Sequence, residues 1–116
     1  MRSGSEKPYI PQRGDVVWIT LDPQVGHEQA GRRPALILSP RNYNERAELA
    51  LFCPLTGRVK GYPYEVLIPD GLLVKGAILA DHVKNLDWQA RAIEFICVLP
   101  SDLAAHVLFT VRTLLD

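Results

Sequence analysis

The sequence predicts a small, mainly β domain, an antiparallel barrel or sandwich with one helix at its C-terminal end. Three observations lead there. Short runs rich in β-branched and aromatic residues recur along the chain, as strands require. Glycine or proline stops almost every run, so the connections are tight turns. After Pro100 the apolar period changes from that of a strand to that of a helix. A length of 116 residues suits a single hydrophobic core.

The first run is Val16-Val17-Trp18-Ile19-Thr20-Leu21, bounded by Gly14-Asp15 and Asp22-Pro23, and it reads as a strand between turns. Residues 35–38 follow, stopped by Ser39-Pro40, and then residues 49–55, stopped by Thr56-Gly57. Further strands are expected at 64–68 ahead of Pro69-Asp70-Gly71, at 76–80, and at 93–99 ahead of Pro100. Residues 40–47, with Asn42, Asn44, Glu45 and Arg46 on a polar face, fit either a short helix or an irregular loop. In the last segment Ser101 is the expected N-cap, with Asp102 in the first turn. Ala104, Val107, Leu108, Val111, Leu114 and Leu115 then form one apolar stripe to pack on the sheet. Apolar surface left over from such a small domain suits a symmetric dimer.

Composition narrows the function classes. Hydrophobic residues at 47% and charged residues at 22% exclude a disordered or fibrous chain. The longest apolar stretches fall far short of the roughly 20 residues that span a membrane, and residues 1–12 contain no apolar core of a signal peptide. A cytoplasmic protein is expected. Residues 1–8 begin with the polar stretch Met1-Arg2-Ser3-Gly4-Ser5, expected to be a disordered leader or a leftover of expression. Cys53 and Cys97 lie in apolar runs without metal-ligand spacing, so two buried thiols are expected and no metal or other cofactor. Thirteen basic residues balance thirteen acidic ones, so contact with nucleic acid must be local rather than driven by bulk charge. Trp18 and Trp88 are expected in the core or an interface, and His106 on the surface.

The segment Gly26-His27-Glu28-Gln29-Ala30-Gly31-Arg32-Arg33-Pro34 concentrates polar chemistry directly ahead of a strand. Glycines permit close backbone approach to a ligand, and paired arginines suit bidentate capture of phosphate or carboxylate oxygens. An anion-binding loop is expected. A second basic stretch, Arg58, Lys60 and Tyr62 in a Gly/Pro loop, interleaves cations with an aromatic ring. It suits a single-stranded nucleic acid, or is a solvated hairpin loop.

Taken in order, Gly14-Asp15, Val17-Trp18, Asp22-Pro23, Gly26, Glu28-Gln29-Ala30-Gly31, Arg33-Pro34-Ala35, Leu38-Ser39-Pro40, Pro54, Thr56, Lys60-Gly61-Tyr62-Pro63, Ala80-Asp81, Val83-Lys84 and Trp88 form a pattern. It resembles the MazF/PemK family of toxin endoribonucleases. The resemblance runs from about Tyr9 to the C-terminal helix, so residues 9–116 are expected to be one toxin domain. It implies a small SH3-like antiparallel β-barrel with flanking helices, assembled as a homodimer. It further implies metal-independent, sequence-selective cleavage of single-stranded RNA to 2′,3′-cyclic phosphate and 5′-hydroxyl ends. A cognate antitoxin would block the RNA groove with an extended C-terminal tail.

Residue by residue, the resemblance implies a catalytic role for Arg33 and Thr56 and an acidic site residue at Glu28. Lys60 and Lys84 fall on basic positions facing RNA, and Gln29, Arg32, Arg58 and Asp81 are expected among the RNA-binding residues. His27 and Arg32 lie at variable positions, Gly57 stands where some relatives carry a second hydroxyl, and His82 replaces a common glutamine. The chemistry assigns tasks to these groups. An always-charged guanidinium at Arg33 suits a doubly negative phosphorane, and the Thr56 hydroxyl suits one of its oxygens. Glu28 or His27 suits the removal of the 2′-hydroxyl proton, with Glu28 preferred; Glu28 equally suits a base amino group.

Two rival classes remain at this point. One is a non-enzymatic toxin of the same fold that inhibits a protein target such as DNA gyrase, and the other is a structural RNA-binding barrel. A guanidinium and a hydroxyl converging on one phosphate would be idle in the first, and cleavage of RNA separates the second.

Overall fold

The computed structural model describes residues 8–21 and 31–116. The chain runs through strand β1 (Asp15–Leu21), strand β2 (Gly31–Ile37), helix α1 (Arg41–Ala47), strand β3 (Ala50–Thr56), strand β4 (Glu65–Leu67) and strand β5 (Ala77–Leu79). A single 3-10 turn, Ala80–His82, leads into strand β6 (Lys84–Leu86), strand β7 (Glu94–Val98) and helix α2 (Ser101–Thr113). The strands make one seven-stranded sheet in the order β4-β5-β3-β2-β1-β7, with β6 also on β3. Every ladder is antiparallel.

The expected mainly β class and C-terminal helix are present, but the sheet is open rather than closed into a barrel. Its terminal strands β4 and β7 are not paired with each other among the described residues. The reason is visible at β3, whose edge away from β2 is divided between two three-residue strands. Ala50 to Phe52 pair with β6, and Leu55 and Thr56 pair with β5. The 3-10 turn carries the chain from one to the other along that edge, and this brings Asp81 and His82 beside β3.

Side chains alternate across a strand, and here both faces at the centre of the sheet are apolar. Val16, Leu36, Leu38, Cys53 and Leu55 face the side covered by α2, where Val107 completes the cluster. Val17, Ile19, Ala35, Ile37, Phe52 and Trp88 fill the other side. Each large side chain so buried stabilises the fold by about 1.5–3 kcal/mol. Trp88 therefore lies in the core, whereas Trp18, paired with Pro34 and Glu94, stands 41% exposed. Cys53 is buried, Cys97 only partly, and both thiols are free.

The segment open to two readings is helical: α1 covers residues 41–47. Its Asn44 is fully buried and explains why a polar sequence folds inward. The Asn44 amide donates to Pro11 O at 2.7 Å and Ser39 O at 3.0 Å, its backbone carbonyl accepts from Trp88 Nε1 at 3.0 Å, and Ser39 donates to its Oδ1. In α2 the N-cap is Pro100, not Ser101, with no side-chain capping bond. Ser101 is the first helical residue because Pro100 already holds the extended conformation that precedes a helix. The apolar stripe also ends sooner than its sequence period suggests. The helix stops at Thr113, leaving Leu114 and Leu115 exposed. No helix among the described residues is long and apolar enough to cross a membrane.

Candidate functional site

Strand β2 begins at Gly31, so Arg32 and Arg33 lie on a strand rather than in the loop that their composition suggested. Pairing with β1 through Leu21↔Gly31, Thr20↔Arg32 and Ile19↔Arg33 overrides the local preference of an Arg-Arg-Pro stretch. The consequence is separation. Consecutive strand residues point to opposite faces, so the two guanidiniums cannot share one anion.

Arg33 lies on the face of Ala35 and Ile37. The β2–β3 register pairs Ile37 with Phe52, Leu36 with Cys53 and Ala35 with Pro54; carried two residues further, it sets Arg33 against Thr56. Directly opposed residues share a face, so guanidinium and hydroxyl emerge side by side. The same face continues across β5 and β4, where Thr56 pairs with Ala77 and, two residues along β5, Leu79 pairs with Glu65. Arg33, Thr56, Leu79 and Glu65 thus lie along the floor of an open cleft of about 800 Å³. Arg33 Nη1 donates to Leu55 O at 3.4 Å, and Thr56 Oγ1 accepts from the Arg58 N–H at 3.1 Å, which fixes the turn leaving β3.

The walls come from that turn and from the 3-10 segment. Arg58, Lys60 and Tyr62 line one side, Asp81 and His82 the other. Glu65, unremarked in the sequence, organises the loop. Its Oε1 accepts from the backbone N–H of Lys60 at 3.0 Å, Gly61 at 3.0 Å and Tyr62 at 3.2 Å. Only the position of an acidic residue just past a Lys-Gly-Tyr-Pro turn hinted at this. The negative charge of Glu65 is thereby directed to backbone amides, and among the described residues the cleft gathers three cations, Arg33, Arg58 and Lys60, beside the Asp81 carboxylate. The Asp81 carboxylate beside the Tyr62 hydroxyl raises the Tyr62 pKa above the ordinary phenol value. Asp81 Oδ1 is buried without a hydrogen-bond partner among the described residues. It lies 3.9 Å from His82 Nε2, too far for a bond.

Five of the expected site residues therefore meet in one cleft: Arg33, Thr56, Arg58, Lys60 and Asp81. Lys84 lies next to it, beside His82 at the rim of a small apolar hollow over Ala35, Phe52 and Pro54. Arg32 faces the other way, where Nη2 binds Glu94 Oε1 at 2.7 Å and Nη1 binds Thr20 Oγ1 at 2.9 Å. His27, Glu28 and Gln29 lie outside the described residues. His106 is on the exposed face of α2 as expected. A second residue missed in the sequence is Gly76. At φ +99 it packs so closely that a Cβ there would sit 2.0 Å from the Thr56 carbonyl oxygen.

The chain that forms this cleft has known counterparts. A sequence-family model for the PemK-like, MazF-like toxins of type II toxin-antitoxin systems matches residues 12–115. The endoribonuclease toxin MazF of Escherichia coli strain K12 is 47% identical over 83 residues, spanning 72% of this chain and 74% of that protein. The crystal structure of MazF from Deinococcus radiodurans is similar at a TM-score of 0.88 and 48% identity, covering 93% of this chain and 98% of that one. A MazE–MazF crystal structure from the same organism matches at a TM-score of 0.83 and 48% identity, covering 93% and 97%.

Proposed function

The chain belongs to the PemK-like, MazF-like toxins of type II toxin-antitoxin systems, and from that premise we propose that it is an endoribonuclease that cuts single-stranded RNA in the cleft of Arg33 and Thr56. One observation carries the proposal: this guanidinium and this hydroxyl line one open cleft, on the face to which the β2–β3 register, continued two residues past Ala35↔Pro54, assigns both. A protein that only binds a target, such as a gyrase inhibitor, gains nothing from that pairing. A relative named as an endoribonuclease at 47% identity adds support.

In the proposed reaction the ribose 2′-oxygen loses its proton and attacks the adjacent phosphorus. The bond from phosphorus to the 5′-oxygen breaks, and that oxygen takes up a proton. The products are a 2′,3′-cyclic phosphate and a 5′-hydroxyl. Arg33 stabilises the doubly negative phosphorane with charge-assisted bonds, and Thr56 donates its hydroxyl to a non-bridging oxygen. Glu28 takes the 2′-hydroxyl proton, an assignment that rests on its chemistry and its place in the sequence. The remaining cations, Arg58, Lys60 and Lys84, hold neighbouring phosphates. Charge neutralisation by guanidinium leaves no step that needs a metal.

The test is incubation of the protein with a long single-stranded RNA in excess EDTA. Cleavage leaving cyclic phosphate termini is expected. Intact RNA would overturn the nuclease reading, and cutting that appears only on adding a divalent ion would overturn the mechanism. The proposal extends to assembly: a homodimer, inhibited by an antitoxin whose extended tail occupies the cleft. Phe109 and Val98, 65% and 61% exposed, supply apolar surface for such contacts, and the MazE–MazF structure is that of a toxin with its partner. Sedimentation of the purified chain tests the dimer.

A further inference from the structure

Tyr62 is the large aromatic side chain that lines the cleft while remaining 47% exposed. An exposed ring on a Gly/Pro loop ordinarily samples several rotamers, and ordering it costs entropy. Here three contacts from different parts of the chain restrain it. Its hydroxyl faces the Asp81 carboxylate on the 3-10 turn, close enough for that charge to raise its pKa. Its ring meets Tyr64 edge to face, with centroids 5.6 Å apart and planes at 62°. Its backbone N–H is gripped at 3.2 Å by Glu65, which also holds the two preceding amides. Gly61, at φ +77, makes the turn that allows one carboxylate to reach all three. The contact with Tyr64 is edge to face, so the two rings are not stacked on each other. Lys60 and Arg58 on the same wall supply charge for the phosphates on either side of a stacked base.

We propose that Tyr62 is a preorganised stacking platform for one nucleobase of the RNA, with Glu65 and Asp81 as the residues that position it. This rests on the RNA-cleaving reading above and adds a subsite to it. Stacking on an aromatic ring accepts any base through its π-face, so the platform contributes affinity and register. The edges of the splayed base remain for other groups to read. Because the ring is already held, little ordering cost is left to be met when RNA arrives.

The experiment uses a single-stranded RNA spanning a mapped cleavage site, made uncleavable by a 2′-deoxy sugar at that site, and measures its affinity. Tyr62→Ala is expected to weaken binding about five- to a hundredfold, the range of one lost stack, and Tyr62→Phe to keep most of it. Tyr62→Leu, which keeps apolar bulk without a ring, should behave like alanine. Replacing each base in turn by an abasic nucleotide should reveal one position that matters to the wild type and not to Tyr62→Ala. Glu65→Ala should weaken intact RNA but add no loss in the Tyr62→Ala background. Wild-type affinity in Tyr62→Ala, or abasic losses equal in both proteins at every position, overturns the platform. A wild type that neither cuts nor binds RNA fails the nuclease reading itself, whereas a wild type that cuts without this coupling fails the platform alone.

Discussion

Arg33 and Arg32 differ in which face of β2 their side chains leave from, and that difference separates their effects. Arg33→Ala should abolish RNA cleavage with the fold intact, since a half-buried polar side chain at the cleft contributes little to either core. Arg33→Lys should rescue poorly, because an ammonium cannot span two phosphoryl oxygens. Arg32→Ala removes an ion pair whose partners are 35% and 72% exposed. It should cost less than about 1 kcal/mol of stability and leave cleavage within a fewfold of wild type. Full activity in Arg33→Ala, read by gel, would remove it from the mechanism. Thr56→Ala should lower the cleavage rate by about 10²- to 10³-fold, as loss of one oxyanion donor does, while Thr56→Ser restores most of it; equal rates in all three would show the hydroxyl idle. Cys53 offers a separate check on the core. Burial, reinforced by the Asp81 carboxylate, pushes its thiol up to about 12 from 9.0. The neutral thiol is the form the fold favours, so it should resist alkylation at pH 9 in the native protein and react once unfolded. The same shift makes its contribution to stability complete below pH 9 and progressively lost between pH 9 and about 12. Native alkylation of Cys53 as fast as in denaturant would contradict its packing.

At the scale of elements, the close approach between β5 and the end of β3 predicts a strong effect from a residue that touches no RNA. Gly76→Ala adds a Cβ 2.0 Å from the Thr56 carbonyl oxygen at a φ of +99. Backbone cannot yield as a flexible side chain would, so the variant should lose a few kcal/mol in a denaturant titration and most of its cleavage as Thr56 is displaced. Activity without loss of stability would show that the β3–β5 junction adapts. The six strands expected from apolar runs are all present, because runs such as Val16 to Leu21 need only their own composition to be recognised. Strand β6 was not legible. Its Lys-Asn-Leu has neither alternation nor β-branched residues, and it exists because β3 offers it an edge. The start of β2 was misread for the related reason that Arg-Arg-Pro looks like loop until β1 pairs with it. Among site residues, Arg33, Thr56 and Lys60 were reached through an ordered motif pattern, whereas Glu65 and Gly76 act on backbone atoms several residues away. Register and close approach made them matter, and neither is written in local sequence.

Over the whole molecule, basic and acidic residues cancel, thirteen against thirteen. Long-range attraction of RNA by net charge is therefore absent, and binding must draw on the cations gathered at the cleft. This has a measurable signature. Each phosphate neutralised on a single strand contributes about −0.7 to the slope of log affinity against log salt. With Arg33, Arg58, Lys60 and the adjacent Lys84 in contact, the slope should lie between about −2 and −3. That is shallow beside proteins that coat nucleic acid. Lys60→Ala should weaken binding of every RNA sequence alike and flatten the slope by about 0.7, because a phosphate contact carries no base information. Tyr62→Ala, by contrast, should lower affinity without changing the slope, since stacking releases no counterion. Titrations of the uncleavable RNA from low to high salt separate the two. A slope unchanged by Lys60→Ala would place that ammonium outside the RNA path, and a slope flattened by Tyr62→Ala would mean that the ring acts by ordering the cations around it rather than by holding a base.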